Sequence, residues 1–147
     1  MTTVPANKTQ LMDASVQSFI EGIENYRRRE DSRRLLAMMG SITGLPPVMW
    51  GTNIVGFGTH HYVYESGREG DMPIVSFAPR KNALVVYSVL AHAGDEHLAQ
   101  LGPHSVGKGC LYLPDLSAID SGLLAGMIDG AFREKSAPDT GQPTAPR

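Results

Sequence analysis

"MPIVSFAPRKNALVVYSVL", residues 72–90, is the stretch on which the fold class turns. It contains two short β-branched and aromatic runs, 72–79 and 83–90, interrupted by Pro-Arg-Lys-Asn, and runs of this kind bounded by Pro and Asn read as strands. "VMWG" (48–51), "THHYVYES" (59–66) and "GCLYLP" (109–114) have the same character, and "SGREGDMP" (66–73) reads as a Gly-bearing hairpin loop between two of the runs. The sequence therefore predicts consecutive antiparallel strands.

On either side the period changes. From Asp13, an N-cap residue, Val16, Phe19, Ile20 and Ile23 fall at i, i+3, i+4 and i+7, with Gln17, Glu21, Glu24 and Arg28 on the opposite, solvated side of an amphipathic helix. "RRREDSRR" (27–34) is expected to be exposed charge between helices; contact with a phosphate backbone is the alternative, interrupted by Glu30 and Asp31. A second helix is expected from Asp31 or Ser32, burying Leu35, Leu36, Met39 and Ile42 and stopping at Gly44 before Pro46-Pro47. A short helix is expected over 95–101. In the last helix Asp120 is the cap, Ile119 and Leu124 form a hydrophobic staple, and Leu123, Leu124, Met127, Ile128 and Ala131 make one face. It should end near Lys135. Gly122, Gly126 and Gly130 repeat every four residues on it and point to a groove where another element comes close.

Together these elements predict an α+β sandwich, with helices packed on a mainly antiparallel sheet, and argue against a doubly wound parallel fold. At 147 residues the chain has the size of one domain, roughly 100–200 residues. The expected organisation is a tail over 1–12, a domain over 13–135 and a proline-bearing tail over 136–147.

A formal net charge of −2 supplies no global attraction to nucleic acid or an anionic membrane. The single cysteine, Cys110, excludes an intramolecular disulfide and a four-thiolate metal site. With no apolar run near the ~20 residues of a membrane helix and no signal-peptide pattern at the start, a cytoplasmic protein is expected.

Two phosphate-loop matches fail. "GFG" (56–58) meets His61 where the dinucleotide motif needs Gly, and "GPHSVGKG" (102–109) ends in Gly109 where a nucleotide-hydrolysing loop needs Ser or Thr, with a strand following each. The glycines of "IVGFGTHHY" (54–62) are read instead as allowing a sharp turn and close neighbours. His60 and His61 are adjacent on a strand and so face opposite ways. One is expected at the solvent and the other hydrogen-bonded among Tyr62 and Tyr64, with a metal role as the alternative. Cys110 is either a buried thiol or one biased towards thiolate by Lys108. "SFAPRK" (76–81) sets Arg80 and Lys81 in a loop, where convergence with Lys108 and His61 would make a small-anion site.

Four segments in order, "GLPPVMWG" (44–51), "IVGFGTHHYVYESGREGD" (54–71), "FAPRKNALVVY" (77–87) and "LGPHSVGKGCLYLPDLSAID" (101–120), resemble the YdhG-like family, a bacterial domain of unknown function. The resemblance spans about residues 14–133 and implies a frataxin-like sandwich. One branch of that family is described as an iron chaperone, which for this chain implies iron as a possible cargo on Asp13, Glu21 and Glu24. The reading preferred from the residues is a non-enzymatic binding module with no cofactor, for a small anionic ligand or a protein partner. Arg80, Lys81 and Lys108 would anchor charge, Trp50 and Tyr64 would stack, and His61 would supply a pH-sensitive hydrogen bond.

Overall fold

In the computed structural model, which describes residues 15–90 and 94–136, a helix over 15–21 (α1) precedes α2 (Tyr26–Thr43). Strands β1 (Pro47–Trp50), β2 (Ile54–Phe57), β3 (His60–Val63), β4 (Glu69–Met72), β5 (Val75–Pro79) and β6 (Leu84–Tyr87) follow. The chain continues through α3 (Asp95–Leu101), β7 (Ser105–Val106), β8 (Cys110–Leu113), a 3-10 turn (Leu116–Ala118) and α4 (Ser121–Ser136). The fold is α+β. Six strands form one sheet in the order β1-β2-β5-β6-β8-β7, every neighbouring pair antiparallel, while β3 and β4 form a separate hairpin.

The period-2 alternation of the strands decides which side faces the helices. Val55, Phe57, Val75, Phe77, Leu84, Val86, Leu111 and Leu113 share one face and join Leu35, Met39, Leu124, Met127, Ile128 and Ala131 in a single core. There α2 packs on β2, β5, β6 and α4, and α4 also packs on β5. Gly44 ends α2, with its N–H donated to the Gly40 carbonyl, and the Asp120 carboxylate caps α4 by accepting from Leu123 N–H at 3.0 Å. Both ends lie where the sequence puts them. Ile119 and Leu124, the expected staple, are both in the core.

The helix boundary between α1 and α2 differs from the expectation. The first helix stops at 21, and Asn25 caps a helix that already starts at Tyr26, its side chain accepting from Arg28 N–H. Glu24 therefore lies in the connection, and "RRREDSRR" is helix with Arg28, Asp31 and Ser32 buried, not exposed interhelical charge. The physical reason is a set of strand-exit groups beneath this end of α2. Arg28 Nε donates to the Arg80 carbonyl and Nη1 to the Pro114 carbonyl, while the Asp31 carboxylate accepts from Leu116 N–H at 3.0 Å. Buried backbone groups beyond the ladders need partners, and α2 supplies them.

Two strands also arise where turns were read. "IVGF" is β2 and "EGDM" is β4, so the loop expected over 66–73 contracts to a turn in which Tyr64 N–H donates to the Arg68 carbonyl. The glycine expectation for "IVGFGTHHY" holds in both parts. Gly58 has φ +76, turning the chain from sheet to hairpin, and a Cβ on Gly56 would lie 2.6 Å from the Trp50 ring and 2.7 Å from Pro73. The groove expected at the α4 glycines is present in part: Gly122 and Gly126, with His97 of α3, line a cavity of about 260 Å³, but the approach is not tight, since no atom lies within 4 Å of a Cβ built on Gly126 and Gly122 meets only the Asp120 side chain. Asp13 and most of both expected tails lie outside the described residues.

Candidate functional site

On the sheet face turned away from the helices, Gly56, Ser76, Tyr87 and Cys110 are directly cross-strand from one another on β2, β5, β6 and β8. This row is the alternate set to the core residues, and it is small or polar where they are large and apolar. Ser76, Tyr87 and Cys110 line a cavity of about 590 Å³. Trp50, lying over Gly56, forms one wall; Asp71, Met72 and Pro73 come from the end of the β3–β4 hairpin, and Lys108 and Gly109 from the β7–β8 turn. The volume lies within the roughly 300–1,000 Å³ of small-molecule sites, and a mostly apolar lining with a few polar groups is the usual make-up of such sites.

Two polar groups in this cavity are unusual. Ser76 is only 3% exposed, yet among the described residues its hydroxyl has no hydrogen-bond partner and it opens into the cavity. Lys108, at the mouth, has no carboxylate within ion-pair distance among the described residues. Ser88, also in the lining, takes φ +73, uncommon for a side chain other than Gly, and its hydroxyl accepts from Lys135 Nζ at 3.3 Å. Burial lowers the Lys135 pKa.

The six residues expected to form one site are divided. Trp50 and Lys108 line the cavity. Arg80 and Lys81 line a second cavity of about 490 Å³, with Arg28, Asn25 and Glu24. Arg80 still reaches the first one indirectly, through an Nη2 donated to the Tyr87 hydroxyl at 3.3 Å. His61 lies on the exposed side of the hairpin, its two ring nitrogens each 2.7 Å from a carboxylate, Nδ1 from Asp71 and Nε2 from Glu69. Those hydrogen bonds, Asp71 first and Glu69 second, raise its pKa above the ordinary 6.5. The partners are thus carboxylates instead of the expected tyrosines. Tyr64 packs against Tyr62, ring centroids 5.2 Å apart, and does not line the cavity.

Cys110 is half-buried in the cavity lining, between the two alternatives read from sequence. Glu21 and Glu24 are exposed, and among the described residues no three His, Cys, Asp or Glu side chains are grouped so as to hold a metal ion. Also among the described residues, no helix is long and apolar enough to cross a membrane.

Ser76, Tyr87, Asp71 and Arg28 were not singled out by sequence. The signal was present for the first two, since each alternates with a core residue (Val75 and Phe77, Val86) and breaks the apolar run. Arg28 stands four and seven residues before Ser32 and Leu35, on the buried stripe of α2. Among known proteins, no family model, curated protein or solved structure matches this chain.

Proposed function

We propose that the chain is a non-enzymatic binding module whose ligand is a small molecule with a flat apolar body and one anionic group, held on the helix-free face of the sheet. The observation that carries this reading is the pairing, in one mostly apolar cavity, of a serine hydroxyl that reaches the cavity without a hydrogen-bond partner and a lysine without a counter-ion among the described residues. Each is open to a ligand from the cavity, the hydroxyl for a hydrogen bond and the ammonium for a charge-assisted one. Trp50 offers the stacking surface, Ser76 the hydrogen bond and Lys108 the charge. Asp71, in the same lining, disfavours a second anionic group nearby.

The finer fold assignment, a cytoplasmic frataxin-like and YdhG-like sandwich, belongs to the same proposal. It is supported by helices lying on one face of an antiparallel sheet and by the four quoted segments falling on β1, β2–β4, β5–β6 and β7–β8. No observation favours the iron reading over small-molecule binding.

Trp50 is the only tryptophan of the chain, so its fluorescence reports on this cavity alone. Titration with anilinonaphthalene sulfonate, an anionic aromatic probe, should change Trp50 emission saturably. Lys108→Glu, on an exposed turn, should weaken the response by roughly tenfold or more, equivalent to about 1.4 kcal/mol. A response identical in Lys108→Glu and wild type would sink the proposal.

A further inference from the structure

Arg28 is 6% exposed, and among the described residues no carboxylate lies within ion-pair distance of its guanidinium. Buried charges are normally paired with an opposite charge. Asp31 accepts from Leu116 N–H, Asp115 pairs with Arg27 and accepts from Ser117, and Glu30 pairs with Arg33, while the exposed Glu24 shares the Arg28 cavity without coming within ion-pair distance of the guanidinium. Two of the five guanidinium N–H donors of Arg28 are fixed on the Arg80 and Pro114 carbonyls. No deeply buried side-chain nitrogen among the described residues lacks a partner, so an Arg28 nitrogen not used by protein is solvent-accessible, and Arg28 is part of a cavity lining.

That cavity, of about 490 Å³, also takes in Arg80, Lys81 and Glu24. Three cations against one carboxylate leave a surplus of two positive charges in the lining. Asn25, the N-cap of the 18-residue helix α2, adds the positive end of the helix dipole to the same wall. We propose that this second cavity, between the start of α2 and the β5–β6 turn, binds a phosphate group, with Arg28 as its buried anchor and Arg80 and Lys81 closing over it. A phosphate monoester is close to a dianion at neutral pH, which matches the surplus, and its oxygens suit the planar guanidinium fork. The volume leaves space for a small organic group beside the phosphate. Arg80 and Lys81, expected from sequence to act with Lys108, act here with Arg28.

The test compares thermal unfolding of the whole chain in inorganic phosphate, in O-phosphoserine and in sodium chloride at equal ionic strength, with calorimetric titration of the first two. A ligand that binds only the folded state raises the midpoint, so phosphate or O-phosphoserine should raise it where chloride does not. Arg80→Ala/Lys81→Ala, confined to exposed residues, should fold and lose at least tenfold in affinity. Arg28→Leu should abolish binding if it folds. Tighter binding of O-phosphoserine than of phosphate assigns a phosphorylated small molecule, and equal binding assigns the free ion; both support the site. No advantage of either over chloride overturns the proposal, as does an affinity unchanged in the double variant. Loss of the effect in Lys108→Glu also overturns it, by moving the anion to the other cavity.

Discussion

On the helix side of the sheet, Val55, Phe57, Val75, Phe77, Val86 and Leu111 are fully buried; one residue along the same strands, on the other side, stand Gly56, Ser76, Tyr87 and Cys110. The first set fills space. Each buried Val, Leu or Phe contributes about 1.5–3 kcal/mol by leaving water, and the helices close over all of them. The second set leaves space, because Gly56 admits the Trp50 ring and the small Ser76 leaves the floor open. The lining there gives up dispersion contacts that a filled core would have. Stability and binding are thus assigned to opposite faces of the same strands by a one-residue step.

The strongest way to break this comparison is to truncate neighbouring residues on β5. Phe77→Ala should cost about 3–5 kcal/mol, the usual range for an aromatic removed from a core, measured by urea unfolding. A cost below about 1 kcal/mol would mean that the helix side is not where stability resides. Next in size is Gly56→Ala. Its Cβ would meet Trp50 and Pro73 at 2.6 and 2.7 Å, so one of them must move. The expected cost is about 1–3 kcal/mol, typical of overpacking, with Trp50 emission shifting to the red as the ring is pushed out. Unchanged emission would place the ring elsewhere.

Smaller still is Ser76→Ala, whose effect on stability should stay within about 0.5 kcal/mol or be slightly favourable, because no protein hydrogen bond is lost. It should nevertheless weaken binding of the anilinonaphthalene probe if the probe engages the hydroxyl. A cost as large as that of Phe77→Ala would erase the distinction between the faces.

What was legible in the sequence follows the range of the interactions involved. The helix ends at Gly44 and Asp120, α3, and the strands of the apolar runs rest on neighbours in the chain, and they occur where periodicity and capping put them. "EGDM" became β4 although it has little strand propensity, because it pairs with β3 residue for residue, from His60 with Met72 to Val63 with Glu69. Such pairing is tertiary and overrides local preference. Arg28 and Asp31 look like solvated charge in the sequence, since their partners, the Arg80 and Pro114 carbonyls and Leu116 N–H, are 52 to 86 residues away. For the site, the anchors Trp50 and Lys108 were readable as residue types. Which cations share a cavity was not, because that depends on sheet order.

The hairpin offers the gentlest probe, since it contributes Asp71, Met72 and Pro73 to the cavity wall but lies outside the six-stranded sheet. Both ring nitrogens of His61 contact carboxylate oxygens, which only the doubly protonated ring can satisfy as donors. The folded-state pKa is therefore above the unfolded 6.5, and the sign follows from linkage: this contribution is fully present below about 6.5 and fades as pH rises through the raised value. The groups are exposed and screened, so the effect on global stability should be slight and the local one readable. Imidazole resonances of His61 should titrate above 6.5, with the midpoint falling further in Asp71→Asn than in Glu69→Gln, in the order of the two hydrogen bonds. Amide exchange in the hairpin should quicken over the same pH window by more than base catalysis alone, while core amides on β5 and β6 follow catalysis only. An imidazole titrating at 6.5, or equal response in hairpin and core, would show that the cavity wall and the filled face are not energetically separate.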